Sequence, residues 1–102
     1  MIQELENYAN SKRESLAKSG IKIGVRNAKI RPNLFKLNIT LETNDNVADF
    51  TVWDKGPELP VEAEFDVLNV LSRKTTSSKY ILPKQSQELI AAFDELTKLL
   101  AT

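Results

Sequence analysis

Glu62, Glu64 and Asp66 alternate with Val61, Ala63, Phe65 and Val67 in the run VEAEFDV, and the only tryptophan, Trp53, precedes them in TVWDKG. Carboxylates spaced two apart can form an acid–base pair, a hard-cation site, or a charged surface for a basic partner. The first two need company that this chain lacks. It has no histidine and no cysteine, which removes the commonest general base, the thiol nucleophile and nearly every zinc site. Its three glycines are scattered and form no phosphate-cradling loop. Acids alternating along one strand without a ligand loop more often make a solvated sheet surface than a metal site. The sequence therefore predicts no enzyme: no catalytic residue, no metal site, no cofactor and no small-molecule substrate.

The third option has more behind it. From Glu42 to Asp66 the chain carries Glu42, Asp45, Asp49, Asp54, Glu58, Glu62, Glu64 and Asp66 against Lys55 alone. Before that block stand Lys22, Arg26, Lys29, Arg31 and Lys36 with no acid among them, and after it come Arg73, Lys74, Lys79 and Lys84. If Phe50 and Val52 point into a core with Phe65 and Val67, two-residue alternation sends Asp49, Thr51 and Trp53 outward. Pairing of the two strands then puts Trp53 beside Glu62, Glu64 and Asp66. A tryptophan ringed by carboxylates has the form of a binding hot spot, an apolar anchor in a surround that speeds and orients encounter. Asp49, Trp53, Asp54, Glu58, Glu62, Glu64 and Asp66 are the expected partner-binding residues. The plainer readings are a core tryptophan, turned inward by one bulge at Thr51, and an acidic face that serves solubility.

The elements that must position these residues are legible from periodicity. Ile2, Leu5, Ala9 and Leu16 lie at helical spacings and Gly20 stops the segment, which predicts a helix over roughly residues 2–18. IKIGV, FKLNITL, VADFTVWD and VEAEFDV alternate as strands, separated by turns at Arg31-Pro32-Asn33, Asn44-Asp45-Asn46 and Lys55 to Pro60. A polar run, SRKTTSSK, leads to a short fifth strand, KYIL. After Pro83, Ser86 is a candidate N-cap for a helix whose stripe is Leu89, Phe93, Leu96 and Leu100 with Ile90 and Leu99. Short links favour antiparallel neighbours. The expected fold is α+β: an antiparallel meander of four to five strands with N- and C-terminal helices packed on one face, in a single domain spanning 1–102.

Composition fits that size. The 102 residues are 41% hydrophobic and 27% charged, an ordinary globular balance. Fourteen basic and fourteen acidic residues cancel, whereas a duplex-DNA binder is usually strongly basic. Phe35 falls in the core phase of its strand, leaving no aromatic there for base stacking, so nucleic acid is not the expected partner. The absence of cysteine suits a reducing compartment, and the N-terminus lacks the apolar run of a signal peptide. No stretch approaches the apolar length of a membrane span, so a cytoplasmic protein is expected.

The run Thr51-Val52-Trp53-Asp54-Lys55-Gly56, the acid-alternating strand Val61 to Leu68 and the closing leucine-rich helix resemble the TriTu-type immunity proteins of bacterial polymorphic toxin and contact-dependent inhibition systems. The likeness covers residues 48–100; the first half matches in layout. It carries Trp53, Gly56 and the Glu62, Glu64, Asp66 alternation. Pro57-Glu58-Leu59-Pro60 lengthens the turn, and Leu71 to Thr76 lacks the glycine of a tight hairpin. The resemblance implies a cytoplasmic protein that binds and neutralises one cognate toxin domain, for which an acidic face suits a nuclease with a basic cleft. The alternative is a structural or adaptor subunit acting as a homo-oligomer, a homodimer joined through a sheet edge or the open face.

Overall fold

A computed structural model describes residues 1–101. The chain runs α1 (Ile2–Ser11), α2 (Arg13–Lys18), β1 (Lys22–Arg31), β2 (Leu34–Glu42), β3 (Asn46–Asp54), β4 (Glu62–Asn69), β5 (Lys74–Ile81) and α3 (Ser86–Ala101). The strands form one sheet in the order β1-β2-β3-β4-β5, every neighbour antiparallel. This is the expected meander, with the helices on one face.

The core lies between that face and the helices. Leu37, Ile39 and Leu41 from β2, Phe50 and Val52 from β3, and Ala63, Phe65 and Val67 from β4 are buried against Leu5 and Ala9 of α1 and Leu89, Phe93 and Leu96 of α3. Burial of each large aliphatic or aromatic side chain stabilises the fold by about 1.5–3 kcal/mol. Among the described residues no polar or charged side chain is buried.

Three local features differ from the sequence expectation. The N-terminal helix breaks at Lys12 (φ −93°, ψ −6°). Ser11 Oγ donates to the Tyr8 carbonyl at 2.6 Å and Ser15 Oγ to the Lys12 carbonyl at 3.1 Å. Such hydroxyls compete for helical carbonyls and bend the axis. The bend brings Arg13 Nη1 to the Ile23 carbonyl of edge strand β1 at 2.9 Å.

The fifth strand is longer than KYIL and begins at Lys74. Its polar side chains hid it, but its ladder to β4 supplies the order that hydrophobic alternation does not. The turn before it closes without glycine, with Arg73 at φ 59° and its N–H on the Asn69 carbonyl at 2.8 Å. Helix α3 starts at Ser86 itself, and the Glu88 carboxylate, rather than the serine, accepts from the Lys84 and Gln85 N–H groups that precede it. Those bonds hold the Glu88 carboxyl below its ordinary range.

Helices α1 and α3 meet through Tyr8. Its ring stands edge-on to Phe93, with centroids 5.9 Å apart, and its hydroxyl donates to the two Asp94 oxygens at 2.8 and 3.1 Å. That hydrogen bond, then desolvation and the Asp94 charge, raise the phenol above its ordinary value of 10.0. A raised pKa means that the protonated form is favoured in the folded state. The contribution is therefore complete below pH ~10 and is lost as pH climbs through the raised value. Tyr8→Phe is expected to cost about 1 kcal/mol at neutral pH. It should also remove one component of the alkaline loss of stability, read from denaturation midpoints between neutral pH and pH ~11.

Candidate protein-binding face

Because the helices claim one side of the sheet, strand alternation assigns every second residue to the other. From β1 to β4 the open face carries three aligned rows: Ala28, Lys36, Trp53, Glu62; then Arg26, Asn38, Thr51, Glu64; then Gly24, Thr40, Asp49, Asp66. Register through β3 is unbroken, with Phe50 opposite Phe65 and Val52 opposite Ala63, so no bulge turns Trp53 inward. Tyr80 and Ser78 of β5 extend the second and third rows. Lys79 points to the helix side, where it pairs with Glu95 of α3 at 2.7 Å, so the basic C-terminal stretch adds no cation to these rows.

The sequence-predicted residues do not all stay together. Asp49, Glu64 and Asp66 form a contiguous acidic patch. Asp49 and Asp66 are directly opposed, and Glu64 stands opposite Thr51 in the next row. Asp49 accepts from Asn38 Nδ2 at 3.1 Å and Asp66 from Ser78 Oγ at 2.7 Å, both neutral donors. None of the three acids forms an ion pair among the described residues.

Glu62 shares the face but is already compensated, by an ion pair with Lys55 and a hydrogen bond from the Tyr80 hydroxyl. Asp54 is in the phase of Phe50 and Val52 and therefore sits on the helix side of the sheet. Its Oδ1 accepts the Gly56 N–H at 3.0 Å, closing the turn at the end of β3. Gly56 has φ 107°, a backbone that side-chain-bearing residues rarely adopt, so this position needs glycine. Glu58 is exposed in the loop that follows.

Trp53 is half-buried and its surroundings differ from a ring of carboxylates. Its cross-strand neighbours are Lys36 on one side and Glu62 on the other. Beyond it lies an open depression of about 480 Å³ with Leu34, Leu59 and Pro32 as apolar walls and Arg31 and Lys55 among its lining. The Asp54–Gly56 turn makes this shape, since it brings Lys55 back to Glu62 and sets Leu59 on the same depression as Trp53. Lys36 was legible from the alternation of FKLNITL; Leu59 was not, because a loop carries it, and Tyr80, which lies in the expected strand KYIL, gained its place beside Glu62 only from the register of β5. Phe35 is 39% exposed at the end of its strand, with Lys29 Nζ 6.0 Å from its ring centroid, so the core phase does not bury it fully. Among the described residues no group of three or more acids, histidines or cysteines is arranged to hold a metal ion. Among the described residues no helix is long and apolar enough to cross a membrane.

The family model described as immunity protein TriTu matches residues 3–99, and the chain belongs to this family. The match extends well beyond the residues that carry the resemblance in the sequence, taking in α1 and the first two strands. No curated protein and no solved structure matches the chain. Membership gives the chain an immunity role, in which the partner is a toxin protein.

The opposed acids Asp49 and Asp66 should be a cost to the free protein, because like charges facing across a ladder destabilise it. Asp49→Asn or Asp66→Asn is expected to raise stability by a few tenths to about 1 kcal/mol at low salt. The gain should shrink when the same denaturation is run near 1 M salt, where exposed charges are screened. A loss of stability on either substitution would contradict this reading of the pair.

Proposed function

We propose that this chain neutralises its toxin by laying the open sheet face over a basic surface of the toxin domain, in the cytoplasm and without catalysis. The observation that carries this reading is the patch of Asp49, Glu64 and Asp66. These three clustered carboxylates have only neutral partners, in a protein that has cations enough to pair them. A basic partner supplies the missing charge on binding, and its approach is steered by the same field. The substrate-binding cleft of a nuclease is such a surface, because it must hold phosphates, and covering it excludes the nucleic acid. Trp53 contributes from the edge of the patch and Glu58 from the neighbouring loop. Glu62 and Asp54 hold the loop that shapes this edge.

Of the alternative, a structural or adaptor homodimer through a sheet edge or the open face, the edge form is less favoured by the charges on those edges. Pairing along β1 would set Lys22, Arg26, Lys29 and Arg31 against their own copies, a common device against self-association. Strand β5 presents Lys74 in the same way.

The test is charge reversal of the free acids. The triple variant Asp49→Lys, Glu64→Lys, Asp66→Lys is expected to lose about 100-fold or more in affinity for the toxin domain and to fail to protect cells that co-express it. Its thermal unfolding should stay close to that of the parent, because all three side chains lie on the open face. The parent's association rate should fall as salt rises. Unchanged affinity and protection in the triple variant would overturn the acidic-face reading.

A further inference from the structure

The size of the open face bears on what its partner must look like. Five strands about 4.8 Å apart and eight to ten residues long give a face of roughly 24 × 30 Å. A standard stable interface covers about 800 Å² on each partner. Such a partner covers nearly the whole open face; the acidic patch supplies less than half of it. The rest of the face is mixed, with Lys22 opposite Glu42 and a run of cations toward the Trp53 end. Lys22, Arg26 and Lys36 stand on the open side of β1 and β2, and Arg31 lines the Trp53 depression at the end of the same hairpin.

Arg31 and Lys36 form no ion pair among the described residues, whereas Lys55, the other cation of the depression, is committed to Glu62. An all-basic partner laid across this face would bury those two cations against like charge, at a cost that its contacts with Asp49 and Asp66 would have to offset. The depression itself has apolar walls and a half-buried tryptophan, the composition of an anchor pocket.

Building on the neutralisation reading above, we propose that the toxin domain meets this face with two patches of opposite sign. A basic patch lies over Asp49, Glu64 and Asp66, and a separate segment seats an apolar side chain, flanked by carboxylates, in the depression at Trp53. Arg31 and Lys36 pair with those carboxylates. Trp53 and Leu59 hold the apolar side chain. Specificity then comes from the spacing of the two patches, because a uniformly basic protein satisfies only one of them.

Trp53 is the only tryptophan, so its fluorescence and its indole N–H resonance report on this depression directly. The probe is an acetylated, amidated pentapeptide alternating glutamate with leucine and phenylalanine, titrated into the isotope-labelled full chain. Its counterpart has lysine in place of glutamate. The acidic peptide is expected to shift the Trp53 indole and the Leu59 amide, and the lysine peptide to shift the Glu64 and Asp66 amides instead. In the Arg31→Glu, Lys36→Glu double variant the acidic peptide should bind about tenfold more weakly or worse, with amide positions away from the depression unchanged. The proposal is overturned if the acidic peptide leaves Trp53 unmoved, if the double variant binds it as well as the parent, or if the lysine peptide takes the Trp53 depression equally. Neither peptide is a toxin, so such a failure removes the second patch and leaves neutralisation through the acidic patch standing. Failure of the chain to protect against a toxin, conversely, leaves the peptide result unaffected.

Discussion

Burial of one side of a five-stranded sheet fixes the content of the other side, because side chains alternate strictly along each strand. Phe50, Val52, Phe65 and Val67 must reach the helices, and their burial outweighs any single preference of the residues between them. Asp49, Thr51, Trp53, Glu62, Glu64 and Asp66 are therefore held outward by the burial of their chain neighbours. A slip of one residue between β3 and β4 would exchange the two sets and put carboxylates in the core. The placement of the open face thus follows from the hydrophobic core behind it.

On that frame the β3–β4 connection does a more local job. Asp54 faces the helix side, and from there its carboxylate takes the Gly56 N–H and turns the chain. The turn returns Lys55 to Glu62, which removes one acid from the patch, and sets Leu59 on the depression beside Trp53. Residues that look like one acidic cluster along the chain thus take three roles: an open patch, a compensated pair and a turn. Their placement on two faces of the sheet decides which role each takes.

The meander, both helical segments and the outward phase of Trp53 were legible in the sequence, because each rests on hydrophobic periodicity with a large energetic stake. What escaped was held by other forces. Serine back-bonding at Ser11 and Ser15 breaks the first helix with no glycine or proline to announce it. Backbone pairing and hydroxyl hydrogen bonds from Thr76 and Ser78, not apolar burial, order Lys74 to Ser78, so their polarity gave no strand signal. The charge map read along the chain correctly found an acidic β3–β4 region, but it could not see that Glu62 would be paired with Lys55 and hydrogen-bonded by the Tyr80 hydroxyl. Nor could it see that Lys36 would stand directly beside Trp53, since that neighbour comes from register.

Under the proposed function the open face, and not the helical layer, covers the toxin. Carbodiimide labelling of exposed carboxylates in the free chain and in its toxin complex, read by mass spectrometry, tests it most directly. Asp49, Glu64 and Asp66 are expected to lose labelling in the complex while Glu4, Glu14 and Glu95 on the helices label as before. Protection of the helix carboxylates with the sheet carboxylates still reactive would contradict it.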